Sequence, residues 1–182
     1  MGCGYNVHCE QCDYRSQVYF GVGFMSPEVY EKTVQQAKLG ELGAELKKFF
    51  AEHPNGAIDV SYSLDVCKKC GELYTVKDLS MYLPKDNFSP DKNHGCWSVA
   101  APFHGAEYVS PTDLKEHYEL FAKYPHECKC GGEMKIFNED YFKKIRYSVD
   151  TDFPTLITEI RDFDCPRCHG KLVVGSGRIL WD

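Results

Sequence analysis

No stretch of this 182-residue chain approaches the roughly 18 uninterrupted apolar residues that a membrane-spanning helix requires. The opening MGCGYNVHCEQC has no basic region followed by an apolar run, the pattern of a secretory signal. Asn6 stands where a myristoylation signal wants Ser or Thr. The expectation is a soluble cytoplasmic protein with no membrane partner. An excess of positive charge is also missing: 21 Lys and Arg face 27 Asp and Glu, for a formal −6. That balance disfavours a protein built to neutralise phosphates. No segment is of low complexity, while 43% hydrophobic and 14% aromatic content argues for a folded core.

Cysteine is abundant, with ten residues. In a reducing compartment such a number points to metal binding rather than to a disulfide framework. Eight of the ten fall into pairs: Cys9 and Cys12 in CEQC, Cys67 and Cys70 in CKKC, Cys128 and Cys130 in CKC, Cys165 and Cys168 in CPRC. Cys3 and Cys96 are left over. A structural zinc site takes four soft ligands in a tetrahedron, and a Cys-x₂-Cys turn supplies two adjacent corners. Pairing the turns in chain order gives two Zn²⁺ per chain. One would be held by Cys9, Cys12, Cys67 and Cys70, with 54 residues between the pairs, and the other by Cys128, Cys130, Cys165 and Cys168, with 34 between. Eight thiolates on two divalent ions add a net −4, taking the formal charge from −6 to −10. A redox pair would sit at a helix N-terminus, where the dipole lowers a thiol pKa, whereas these pairs are flanked by strand-like segments. His8, His126 and His169 adjoin the pairs and read as neighbours of sites already complete with four thiols.

The remaining pattern predicts an α+β chain. Residues 14–23 read as a strand. Ser26, Pro27 and Glu28 open a helix that pauses near Gly40 and Gly43, resumes through Leu46, Phe49 and Phe50, and stops at HPNG. Ile58, Val60, Tyr62, Leu64 and Val66 alternate with polar residues, the period of one strand running into Cys67. Glu72–Val76 returns as another. Asp78–Ser110, with three prolines and no periodicity, reads as a linker or functional loop. Ser110, Pro111 and Asp113 start a second helix with Leu114, His117, Tyr118 and Phe121 on one face, ended by Pro125. The last part repeats turn, strand, Leu156–Phe163 strand and turn, with the apolar tail GRILWD packing back. The domain expectation is 1–77, 78–110 and 111–182.

CKKCGELY and CPRCHGKLVV resemble the Cys-x-x-Cys-x-Gly-x-Leu knuckles of zinc-ribbon families, and the whole chain looks most like a bacterial protein with two four-cysteine zinc-ribbon modules. CKCGG is one residue shorter than the usual knuckle. The resemblance implies metal binding and a β-ribbon fold, not an activity. A zinc with four protein thiolates has no open position for water, so the expected role is protein interaction or an adaptor rather than catalysis. Two alternatives follow from other residues. Lys143, Lys144, Arg146 and Arg167 would serve nucleic-acid binding. Cys96, with His94, His104, Glu107 and Trp97 nearby, would serve as a thiol nucleophile, although a buried Cys96 and polar loop histidines explain the same residues. Tyr30, Phe49, Phe50, Tyr118 and Phe121 read as core.

Overall fold

The computed structural model describes residues 2–23, 26–85, 108–137 and 164–181. They form an α+β protein of two compact units. Unit 1 is assembled from Met1–Gly21, Tyr62–Val76 and His126–Trp181, and unit 2 from Val22–Ser61 and Lys77–Pro125. The metal-type turns therefore all belong to one unit.

Unit 1 contains two three-stranded sheets of the same design. In the first, β1 (Gly2–Cys9) is central, flanked by β2 (Arg15–Phe20) and β9 (Leu172–Trp181), antiparallel to both. In the second, β4 (Tyr62–Cys67) is central, flanked by β5 (Leu73–Lys77) and β8 (Met134–Phe137). Each central strand ends on the first cysteine of a turn. Tyr5, Val7 and Cys9 are buried on β1 while Asn6 and His8 are exposed, a period-2 pattern leading into the first knuckle. Val18, Phe20, Leu64, Val66, Leu73, Cys165 and Leu172 join them in one core. Full burial of a side chain such as Leu64 or Phe20 stabilises by roughly 1.5–3 kcal/mol.

Unit 2 holds α1 (Ser26–Leu39), α2 (Ala44–Glu52), α3 (Pro111–His117) and a sheet in the order β3-β6-β7, from Ala57–Ile58, Met81–Pro84 and Tyr118–Ala122. Tyr30, Thr33 and Ala37 bury one face of α1, and Leu46, Phe49 and Phe50 one face of α2. The pause between them falls at Gly40 and Gly43, both at positive φ, where a side chain would be strained. Ser110 caps α3 through a reciprocal box with Asp113, as the sequence indicated.

Three sequence expectations are corrected here. The continuous strand 58–66 is broken: Asp59 accepts a hydrogen bond from the Ser61 backbone N–H at 2.8 Å, an Asx-type turn that separates β3 of unit 2 from β4 of unit 1. The second helix ends at His117 rather than near Pro125. Tyr118–Ala122 pairs with β6, so register with a neighbouring strand overrides a helical pattern, and Phe121 is half-exposed rather than core. The stretch 78–110 is not wholly a connection, since β6 occupies the centre of the unit 2 sheet with Leu79 and Met81 buried. Pro84 ends that strand, where a missing N–H is tolerated. The predicted strand at Leu156–Phe163 lies outside the described residues. No described helix is long and apolar enough to cross a membrane.

Candidate metal centres

Each cysteine pair sits in a tight turn, or knuckle, and three of the four share one backbone device. Cys9 N–H donates to the Tyr14 carbonyl at 3.0 Å, Cys67 N–H to Glu72 at 3.0 Å and Cys165 N–H to Gly170 at 2.8 Å, in each case five residues on. In the second and fourth knuckles the turn closes through a residue in the left-handed region: Gly71 at φ 73° after Cys67, and His169 at φ 57° after Cys165. Their N–H groups return to the Cys67 and Cys165 carbonyls at 2.9 Å. In the shorter knuckle Gly131, at φ 70°, fills the same role a residue earlier, donating to the Cys128 carbonyl at 2.8 Å. The deletion is absorbed before Cys130. Downstream, Met134 stands opposite Cys67 as Leu172 stands opposite Cys9, each four residues past the last cysteine of its knuckle.

Two groups of four thiols result. Cys9, Cys12, Cys165 and Cys168 form one, and Cys67, Cys70, Cys128 and Cys130 the other, with all four sulfurs of each within 4.8 Å of one another. All eight paired cysteines are brought into clusters, but not in the chain-order sets: the first knuckle joins the fourth, and the second joins the third. The reason lies in strand pairing. β9 follows the fourth knuckle and adds to β1, while β8 follows the third and adds to β4, so the inner pair is nested inside the outer one.

Across the outer cluster Cys9 Sγ lies 3.5 Å from Cys168 Sγ, and Cys12 Sγ 3.6 Å from Cys165 Sγ. Across the inner one, Cys67 to Cys130 is 3.5 Å and Cys70 to Cys128 is 3.6 Å. A disulfide would be about 2.05 Å, and four sulfurs around zinc at about 2.3 Å would be about 3.8 Å apart. The spacing suits a tetrahedral ion and not a covalent bond. Donor chemistry agrees, since soft thiolates select zinc or iron among common ions.

The two positions of a knuckle differ. The first cysteine of every knuckle is buried, whereas Cys12 and Cys70 are half-buried and Cys130 and Cys168 exposed. Backbone amides favour the first sulfur as thiolate: Gln11 N–H donates to Cys9 Sγ at 3.3 Å, and Lys69 N–H to Cys67 Sγ at 3.4 Å. The amides of Cys70 and Lys69 pull the Cys67 thiol down against its burial. The Cys130 amide and the Tyr74 hydroxyl take Cys128 down to about 6. At Cys9 burial pushes upward, yet hydrogen bonds from Gln11, Cys168 and Cys12 bring it to about 7. The second cysteines move the other way. At Cys70 the Glu72 amide pulls down, but burial and the three neighbouring thiols raise it to about 12. At Cys168 the Gly170 amide is similarly outweighed, chiefly by Cys9, and the thiol rises to about 12. Four thiolates at this spacing repel one another, and a divalent cation at their centre removes the conflict.

The clusters are tied together within unit 1. Tyr14 and Glu72 occupy equivalent positions after the first and second knuckles, and the Tyr14 hydroxyl donates to Glu72 Oε1 at 3.0 Å. Burial and this carboxylate hold the Tyr14 phenol above its ordinary range. Between the second and fourth knuckles lies a cleft of about 400 Å³, lined among others by Lys68, Lys69, Lys135, Asp164 and His169. Lys68 pairs with Glu133, and Lys69 Nζ donates to the Cys130 carbonyl at 3.3 Å.

His8, His126 and His169 belong to neither cluster. Arg167 lies over the Tyr14 ring and pairs with Asp13 at 3.0 Å. Cys3 lies in β1 opposite Phe20 and Leu180. Cys96 and its neighbours His94, Trp97, His104 and Glu107, like Lys143, Lys144 and Arg146, lie outside the described residues. No protein-family model matches the chain, and no similar curated protein or solved structure is found.

Proposed function

We propose that this chain is a zinc-binding protein in which two nested zinc ribbons, each a knuckle pair on a three-stranded sheet, stabilise a protein-interaction or adaptor module of the cytoplasm. The observation that carries the reading is the closure of both clusters: four thiols converge on each centre, leaving no corner for water or substrate. The ion then serves to hold strands together. It supplies an apparent 10–16 kcal/mol in small zinc modules, against the roughly 5–15 kcal/mol net stability of a domain. Among the described residues, exposed apolar area for a protein partner occurs on the edge strand β7, where Leu120 and Phe121 are half-exposed. An apolar edge of this kind suits strand addition by a partner peptide.

Elemental analysis of full chain purified without chelators tests the metal half: two zinc ions per chain are expected, and one or none would overturn it. Affinity capture tests the interaction half, with Leu120→Lys as the comparison. A partner retained by the parent chain and lost by a variant of unchanged zinc content supports it, and equal capture by both removes β7 from the account.

A further inference from the structure

We propose that Cys130 and Cys168 are sites of oxidative modification by hydroperoxides, each captured by a buried thiol of the opposite knuckle, so that oxidation ejects the bound ion reversibly. The proposal rests on the zinc reading above. Its basis is the asymmetry repeated in both clusters. Of the four knuckle-opening cysteines all are buried, and of the four closing ones Cys130 and Cys168 are exposed. A reagent in water therefore meets one cysteine per site that is more exposed than its buried partner. Each of these has a buried partner within reach: Cys67 Sγ at 3.5 Å from Cys130, and Cys9 Sγ at 3.5 Å from Cys168. The Lys69 ammonium donates to the Cys130 carbonyl at 3.3 Å, so a positive charge stands beside this cysteine. Gly131 adds no shield, since a Cβ built there would meet nothing within 4 Å.

The chemistry balances without a further reactant. The Cys130 thiolate attacks a peroxide oxygen, the O–O bond breaks, the sulfur gains a hydroxyl as sulfenic acid, and hydroxide leaves. The Cys67 thiolate then attacks that sulfur, the S–O bond breaks, and a second hydroxide leaves as the S–S bond forms. The two sulfurs together lose two electrons and the peroxide gains them. Cys168 and Cys9 follow the same course. Each site is left with two of its four donors, too few to retain the ion.

The test uses wild-type full chain. Its metal content is measured first, because fewer than two ions would count against the zinc reading itself and not against this step. Hydrogen peroxide at one equivalent per site is then added with a chromogenic chelator present, and disulfides are mapped by mass spectrometry. Release of about one ion per peroxide, with Cys67–Cys130 and Cys9–Cys168 bonds that dithiothreitol and added zinc reverse, is the expected result. Two ions retained after a tenfold excess of peroxide would overturn the proposal, as would disulfides confined within knuckles or joined to Cys3 or Cys96. Limiting iodoacetamide provides a second reading: Cys130 and Cys168 should be alkylated at least about tenfold faster than Cys67 and Cys9, and equal rates would also overturn it.

Discussion

Gly132→Ala places one methyl group against the inner cluster, and its effect can be worked from distances. A Cβ at this position would lie 2.5 Å from Cys67 Sγ, 2.7 Å from Lys69 Cβ and 3.2 Å from Cys130 Sγ. Ordinary carbon–sulfur contact needs at least about 3.5 Å, so the Cys67 sulfur or the Gly132 backbone must move by about 1 Å. Metal–ligand distances tolerate only about 0.2 Å. Overpacking of this kind costs roughly 1–3 kcal/mol, which at the expense of metal binding is a loss of about 5- to 150-fold in inner-site affinity. The outer cluster, whose four sulfurs come from other knuckles, should keep its affinity. Titration of each variant with a competing chelator of known affinity separates the sites, because the weaker ion leaves first. Binding of both ions by Gly132→Ala as tight as the parent's, or weakening of the site containing Cys9 and Cys165 instead, would refute this geometry.

Cys165→Ser should remove the outer ion alone and strip hydrogen-exchange protection from β1, β2 and β9, while β4, β5 and β8 keep theirs; loss of protection in β8 with β1 unaffected would restore the chain-order pairing. Gly71→Ala forces a side chain into φ 73° and should cost about 1–2 kcal/mol, whereas His169→Gly relieves the same strain at φ 57° and should be neutral or stabilising by up to about 1 kcal/mol. Denaturant midpoints of the loaded proteins check both, and equal losses would refute the turn assignment. Metal uptake at pH 7 should release at least about two protons per site, because Cys70 and Cys168 are held up at about 12 and Cys12 and Cys130 also lie above their ordinary value. Affinity therefore rises with pH and falls as acid protonates even Cys128, near 6. Calorimetric heats identical in buffers of different ionisation enthalpy would contradict this.

The clustered cysteines were legible because Cys-x₂-Cys is a local constraint: one turn must present two sulfurs, and even the shortened CKC announces itself by its glycines. Their partnership was not local. Whether Cys9 meets Cys67 or Cys165 depends on β9 returning from the far end of the chain to hydrogen-bond β1, and no periodicity near either knuckle encodes that. Helix starts at Ser26 and Pro111 could be read from local signals, a proline in the first turn of each and the Ser110 cap before the second, which act within one turn. The end of α3 could not, since Tyr118 and Phe121 suit a helix face as well as a strand and only β6 decides between them. Asp59 illustrates a third case. The alternating run from Ile58 to Val66 carries no sign of the Asx turn that a single side-chain oxygen introduces.

Cadmium-113 NMR of the substituted full chain tests the nested pairing of the knuckles. Two ¹¹³Cd resonances are expected, one coupled to the β-protons of Cys9, Cys12, Cys165 and Cys168 and the other to those of Cys67, Cys70, Cys128 and Cys130. A single resonance coupled to both Cys9 and Cys67 would contradict the account.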